Sequence, residues 1–272
     1  MEVIEKLIHY PNGGAIYLYP LGDAHLGSIH CAEADLEKKI DQIRLQKNAY
    51  IIGMGDWCDS IIKSDPRFDI EGFPNWLNKG NIIESQRKRV VEMLTPVKDK
   101  ILCFLTGNHE EEQHTRYQDD ITRNICSDLG ITYGGFSCFL VLKLVRYAGR
   151  DRAQHRVIIH AWHGAGAAQT EGSRLMRLMR LVNDIEADIY LMGHLHSITQ
   201  HTPDRLVYRN GKVKSLRLAA ATTGSWLKAY TQPKEGQVLS PSYAEKKGYK
   251  PSRIGCPCIK IKPDTEEFSI ES

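Results

Sequence analysis

Apolar runs and amphipathic stretches alternate along the first two hundred residues. Short runs of aliphatic and aromatic residues predict strands, and apolar residues that recur every three or four positions predict helices. The predicted strands are 15–20, 50–54, 101–105, 137–146, 156–161 and 189–192. The predicted helices are 32–47, 82–94, 118–129 and 173–186. Strands that alternate with helices predict a layered α/β fold in which the helices lie outside the sheet.

The pattern changes after residue 197, where short strands separated by turns are predicted at 205–209, 213–220 and 259–261. Two segments, 60–81 and 232–256, have no hydrophobic period and are predicted to be irregular insertions. The first joins a strand end to a helix, a position that commonly lines the site of an open α/β sheet. No low-complexity linker divides the chain, so residues 1–272 are predicted to form a single domain.

Composition narrows the class of protein. A hydrophobic fraction of 42% is enough for a core, and a net charge of +3 is too small to indicate nucleic-acid binding by itself. No run approaches 18 apolar residues, and residues 1–6 lack the pattern of a signal peptide. The seven cysteines are odd in number and scattered, so reduced thiols are expected. We therefore expect a cytoplasmic protein with no membrane partner.

Five short polar clusters follow apolar runs of the sequence. They are 22–25 (G-D-A-H), 55–59 (G-D-W-C-D), 107–110 (G-N-H-E), 163–164 (H-G) and 193–196 (G-H-L-H). Because the strands of an α/β sheet end along one edge, the five clusters can converge there. Asp, Asn and His together are the mixed oxygen and nitrogen ligands of Mn²⁺, Fe or Zn²⁺. The clusters therefore predict a metal site.

The number of candidate ligands indicates two metal ions rather than one. Two ions about 3.5–4 Å apart that share a bridging carboxylate would use all of them. Each cluster by itself also occurs as a turn or a helix cap, and it is the occurrence of all five in one order that indicates a site. The candidate ligands are Asp23, His25, Asp56, Asn108, His163, His194 and His196.

The series D-x-H, G-D-x-x-D, G-N-H-[DE], H and G-H-x-H, over residues 23–196, resembles the signature of the calcineurin-like metallophosphoesterase superfamily. The resemblance implies a central two-sheet β-sandwich flanked by helices, with the chain beyond residue 197 closing the second sheet. It also implies a hydrolase in which a hydroxide held between two divalent metal ions attacks a phosphate ester. Mn²⁺ is the expected metal, with Fe, Zn and Ni as alternatives. The pattern is particularly similar to bacteriophage-encoded phosphoesterases and SbcD-type nucleases, which would act in the cytoplasm of a host cell.

The resemblance further implies a role for each matching residue. One metal would be held by Asp23, His25 and His196, the other by Asn108, His163 and His194, and both by Asp56 as a bridge. His109 would be catalytic, because it would stabilise the pentavalent phosphorus or protonate the leaving oxygen.

Three assignments near these residues are less direct. Glu110 is expected to orient His109, and Asp59 either orients a ligand or is structural. His160 is an alternative ligand to His163. We favour His163, because it stands after the apolar run and before a glycine.

The substrate class is predicted from two positions next to the motifs. Protein Ser/Thr phosphatases carry arginines where this sequence has Ser60 and Thr106, which argues against a phosphoprotein substrate. A phosphodiester is expected instead, with DNA or a nucleotide as candidates. The alternatives are a phosphomonoesterase and a non-catalytic metal-binding scaffold.

Three arginines are candidates for substrate contact. Arg67 lies in the first irregular insertion, and Arg174 and Arg177 share one face of the predicted helix 173–186 with Arg180. That face is either a solvated surface opposite the apolar one or a ridge that binds phosphates.

Overall fold

The computed structural model describes residues 1–147, 153–209, 211–233 and 239–271, so the predicted insertion 232–256 lies partly outside the described residues. The strands are β1 (Glu2–Tyr10), β2 (Ile16–Leu21), β3 (Ala49–Gly53), β4 (Ile101–Phe104), β5 (Ser137–Arg146), β6 (Gln154–Trp162), β7 (Ile189–Met192), β8 (Gln200–His201), β9 (Asp204–Arg209), β10 (Lys212–Arg217), β11 (Ala219–Thr222), β12 (Cys258–Lys262) and β13 (Glu267–Glu271). The helices are α1 (Glu33–Leu45), α2 (Ile82–Leu94), α3 (Asn108–Tyr117), α4 (Ile121–Leu129), α5 (Glu171–Asp184) and α6 (Tyr243–Lys246).

Two sheets form the centre of the fold. One has six strands in the order β1-β5-β6-β7-β11-β8, and the other has five in the order β13-β12-β2-β3-β4. Strands β6, β7 and β11 run parallel in the first sheet, as β2, β3 and β4 do in the second. Strands β9 and β10 form a separate antiparallel ribbon. The α/β fold with two central sheets and flanking helices that the sequence predicts is confirmed.

Apolar residues from both sheets form the main core. Ile4 and Ile8 of β1 pack in one cluster with Leu18 of β2 and Ile52 of β3. The alternation of exposed and buried residues along β1 is the period of a strand with one face in the core.

Helices cover the other face of each sheet. Leu36, Ile40 and Ile43 of α1 recur at helical spacing and join the cluster outside the five-stranded sheet. Leu178 and Val182 of α5 pack outside the six-stranded sheet.

Several element bounds differ from the prediction for local reasons. The predicted helix 118–129 begins at Ile121, because Gln118 has a left-handed backbone and Asp120 caps the helix by accepting the Arg123 N–H. The predicted strand 213–220 is two strands, β10 and β11, which pair with different partners. Strands β1, β8 and β13 and helices α3 and α6 were not predicted.

The insertion 60–81 contains no helix or strand. None of the helices in the described residues is long and apolar enough to cross a membrane.

Candidate metal centre

The seven candidate ligands lie beyond the carboxyl ends of strands in both sheets. Asp23 and His25 follow β2, Asp56 follows β3, and Asn108 follows β4. On the six-stranded sheet, His163 follows β6, and the segment after β7 supplies His194 and His196. Because β2, β3 and β4 are parallel neighbours, as are β6 and β7, their ends meet at one side of the molecule.

A left-handed backbone is concentrated at these residues. Among the described residues other than glycine, nine have a positive φ, and five of those are candidate ligands. Such conformations cost about 1–3 kcal/mol each and cluster at functional sites. The five are Asp23 (47°), His25 (49°), Asp56 (51°), His194 (67°) and His196 (48°).

Asp23, His25 and His196 form the first group of ligand atoms, which all lie within 4.8 Å of one another. The Nε2 atoms of His25 and His196 are 3.1 Å apart, and His196 Nε2 is 3.4 Å from Asp23 Oδ1. Asp23 is fixed by the backbone N–H of His194, which donates to its Oδ2 at 2.9 Å.

Asp56, His163 and His194 form the second group. Asn108 Oδ1 lies 3.1 Å from His163 Nε2 and 2.7 Å from His194 Nδ1, and Asp56 Oδ2 lies 3.4 Å from His163 Nε2. The same Asp56 oxygen is 3.9 Å from Nε2 of His25, a member of the first group. Asp56 therefore stands between the two groups.

The donor atoms and their charges fit two cations. The Nε2 atoms of His25 and His196 face each other. If both present a lone pair, only a positive ion between them can bind both. Burial would raise the pKa of Asp56, but His163, His109 and His25 hold it well below its usual range. Burial would likewise lower the pKa of His163, whereas Asp56 raises it to about 10. The buried carboxylates thus favour a positive charge here, whether a proton or a metal ion.

His109 belongs to a third group, with His25 and Asp56. Its Nδ1 lies 2.5 Å from the Asp59 carbonyl oxygen, and its backbone N–H donates to Asp56 Oδ1 at 2.9 Å. Because Nδ1 is occupied, Nε2 is the ring atom available to a substrate. Burial would lower the pKa of His109, but the charges of Asp56 and Asp59 raise it, which favours the protonated ring.

A family model of calcineurin-like phosphoesterases matches residues 21–197, about two-thirds of the chain. The chain belongs to the calcineurin-like phosphoesterase family. It is therefore a metal-dependent phosphoester hydrolase, and its His and Asp groups are suited to divalent metals. No curated protein matches the chain. The likeness to bacteriophage phosphoesterases and SbcD-type nucleases stays a prediction.

Glu110 has a different role from the expected one. Its carboxylate accepts the backbone N–H groups of Asp56, Cys58 and Gly107 at 2.9–3.0 Å, so it joins two ligand loops and does not orient the His109 ring. The ring is held by Asp59 instead. Burial and the charge of Asp56 raise the pKa of Glu110 to about 7, while the three donors favour its ionised form.

Gly107 and Asp59 also help to position the candidate metal ligands of this phosphoesterase. A Cβ on Gly107 would lie 2.1 Å from Asp56 Oδ1, so only glycine allows the two loops to approach this closely. Asp59 Oδ1 is 3.3 Å from His25 Nδ1, which supports the alternative that Asp59 orients a ligand.

His160 is not a member of the three groups that the described residues form. It is buried on β6, and its ring packs 5.3 Å from that of Phe139. The geometry thus favours His163.

The three candidate substrate arginines differ in their location and in their hydrogen-bond partners. Arg67 and Arg174 line a cavity of about 410 Å³ that also contains the candidate ligands. Arg67 pairs with Asp65, and its Nη1 lies 3.4 Å from His109 Nε2. Arg177 instead donates to the carbonyl oxygens of residues 165 and 167, at 2.8 and 3.2 Å. Arg177 does not line this cavity, and the expectation that it contacts substrate stays a prediction.

Sequence analysis did not predict that residues beyond 197 form part of this cavity. Lys228, Tyr243, Tyr249 and Lys250 all line it, although they lie beyond the matched residues. The composition of 232–256, rich in Lys and Tyr, was visible, but nothing in the pattern placed that segment next to the metal ligands.

Proposed function

We propose that this phosphoesterase is a phosphodiesterase that acts on nucleic acid or a nucleotide with two metal ions, preferably Mn²⁺. The proposal rests on the two positions where protein phosphatases have arginines. Both hold uncharged, buried residues whose polar groups already have hydrogen-bond partners. Ser60 is buried, and its backbone N–H donates to Gln86 at 2.9 Å. Thr106 is buried and donates to the Tyr133 hydroxyl at 3.1 Å. These two positions thus supply no arginine for a monoester dianion.

The ligands proposed for the two ions follow the geometric groups. One ion would be held by Asp23, His25 and His196, the other by Asn108, His163 and His194, and both by Asp56. When bound, the metal ions neutralise phosphate oxygens and lower the pKa of a water molecule toward neutral.

The other residues of the site would position the reacting groups and move a proton. His109 donates a proton from Nε2 to the leaving oxygen, while the Asp59 carbonyl holds its ring in place. Arg67 and Arg174 contact the substrate from the cavity wall. Action in the cytoplasm is part of the same proposal.

The test compares two esters with the same leaving group in the presence of Mn²⁺. Bis(4-nitrophenyl) phosphate should be hydrolysed with a higher kcat/KM than 4-nitrophenyl phosphate, because neither Ser60 nor Thr106 supplies the guanidinium that phosphatases carry at these positions for the second charge of a monoester. Single- and double-stranded DNA and cyclic nucleotides extend the series. If the monoester is the better substrate, the diesterase proposal fails and the phosphomonoesterase alternative replaces it.

A further inference from the structure

The chain beyond the matched residues returns to the catalytic cavity. We call residues 226–252 the cap segment, of which 226–233 and 239–252 are described. Residues of this segment line the cavity together with five of the seven candidate ligands, and among them are Lys228, Tyr243, Tyr249 and Lys250.

The beginning of the cap segment is attached to a candidate metal ligand. The Ser225 hydroxyl and the Trp226 backbone N–H both donate to the carbonyl oxygen of Asp23, at 2.9 and 3.0 Å. Two more backbone bonds join the segment to the loop after His25, from Ala32 N–H to Trp226 and from Lys228 N–H to His30. The start of the segment is therefore held in register with the metal centre.

The second half of the cap segment presents aromatic rings. Ser242 caps α6 by accepting the Glu245 N–H at 3.1 Å, and the Tyr230 hydroxyl donates to the Tyr249 carbonyl at 2.6 Å. The rings of Tyr243 and Tyr249 meet edge to face, with centroids 5.8 Å apart and planes at 81°. Tyr243 lines the cavity and is 52% exposed, and the Lys247 ammonium group lies 5.8 Å from the centroid of its ring.

The cations of the cap segment differ from Arg67 in their ion pairs. Arg67 is engaged by Asp65 and Glu112, at 2.7 and 3.5 Å. Among the described residues, no carboxylate lies within ion-pair distance of Lys228 or Lys250. The cap segment thus offers the cavity tyrosine rings and two lysines without an ion-pair partner among the described residues.

An aromatic face beside free ammonium groups is the combination that binds single-stranded nucleic acid without sequence preference. Bases stack on the ring whatever their identity, and cations bind the backbone phosphates. We propose that the cap segment binds the nucleoside next to the scissile phosphate, with the base on Tyr243 and a neighbouring phosphate between Lys228 and Lys250. This inference rests on the proposed phosphodiesterase function and specifies its substrate as a nucleotide unit of single-stranded nucleic acid.

The base contact is tested with two diesters that share a leaving group. Thymidine 5′-(4-nitrophenyl phosphate) carries a nucleoside, and methyl 4-nitrophenyl phosphate does not. The wild-type enzyme with Mn²⁺ should prefer the thymidine ester, and Tyr243→Ala should lower the ratio of the two kcat/KM values by about tenfold. Tyr243→Phe keeps the ring and should retain the ratio, which separates stacking from loss of folding. Tyr208→Ala removes an exposed tyrosine of β9 outside the cavity and should leave the ratio at the wild-type value.

The phosphate contact is tested with a single-stranded oligonucleotide at several salt concentrations. Lys228→Gln together with Lys250→Gln should reduce the slope of log(kcat/KM) against log[salt] by about 0.7, because the two lysines bind one phosphate and about 0.7 counterions are released per phosphate neutralised on a single strand. Lys246→Gln, on the same helix as Tyr243 but outside the cavity, is the matched control and should retain a larger slope than the double variant.

The outcomes separate the inference from the function on which it rests. An unchanged ester ratio in Tyr243→Ala, or an unchanged salt slope in the lysine variant, overturns the inference while diesterase activity remains. Hydrolysis of neither diester by the metal-loaded wild type, with hydrolysis of a monoester, overturns the proposed function itself.

Discussion

The metal centre and the cap segment line one cavity but are built in different ways. The candidate ligands lie at strand ends within residues 21–197, and five of the seven have a left-handed backbone. Asp23, Asp56 and His163 are almost completely buried. The cap segment lies beyond the matched residues and has a half-exposed tyrosine at its surface. We propose that the chemistry resides in the part typical of the family, and that the cap segment beyond it adds contacts to the substrate.

The two regions also differ in how strongly water and salt weaken their charges. Charges buried as deeply as Asp56 interact through a medium of low dielectric, so each change there has a large effect. The cations of the cavity wall face solvent, and ions at physiological strength screen them within about 8 Å. Substitutions in the metal centre should therefore remove activity, whereas those in the wall should change substrate preference and salt dependence.

The largest effect is expected for Asp56→Asn. It replaces the buried carboxylate that stands between the two ligand groups, so metal content and hydrolysis should fall together to background. Metal analysis of the purified variant and its rate on bis(4-nitrophenyl) phosphate measure this. Asp59→Asn is the comparison variant, because the Asp59 carboxylate lies outside both ligand groups but contacts the ligand His25 and raises the pKa of His109, so its loss should cost about 10–100-fold. If Asp56→Asn keeps the wild-type metal content, Asp56 is not the bridging ligand.

A smaller loss, confined to turnover, is expected for His109→Gln. Without the imidazole that protonates the leaving oxygen, kcat should fall by about 10²–10⁴ while both metal ions remain bound. The loss should be greatest for diesters with poor leaving groups, which depend most on protonation. Loss of metal from this variant would instead indicate that His109 is a metal ligand. That result would agree with its position beside His25 and Asp56 in the third group.

The smallest effect is expected for Arg174 of α5. Arg174 lines the cavity, with its Nε donating to the carbonyl oxygen of residue 168. Arg174→Gln should flatten the salt dependence of DNA cleavage by about one unit of slope, since one phosphate contact is lost. Arg180, exposed on the same helix and outside the cavity, is the control. Equal effects of the two substitutions would mean that the cavity does not bind the DNA backbone at Arg174.

The difference between the two regions also explains what could be predicted from the sequence. The candidate ligands follow strongly apolar strands, and the bounds of α2 and β7 match the prediction residue for residue. Strand β1 was missed because charged residues such as Glu5 and Lys6 interrupt its apolar positions.

Contacts with backbone groups were beyond the reach of side-chain patterns. Glu110 binds amides about fifty residues away, and Ser225 binds the carbonyl of Asp23 across some two hundred residues. Arg177 likewise turns onto carbonyl oxygens that its helical face did not indicate. Such pairings depend on the completed fold, so the cap segment could be predicted only as a polar insertion.

The most direct test of a two-metal phosphodiesterase is a metal titration of the stripped enzyme. Protein treated with EDTA and shown by metal analysis to be free of metal should not hydrolyse bis(4-nitrophenyl) phosphate. Added Mn²⁺ should restore hydrolysis up to a stoichiometry of two ions per chain, and better than Mg²⁺, because imidazole ligands suit Mg²⁺ poorly. Full activity of the metal-free protein, or full recovery with a single ion, would contradict the account.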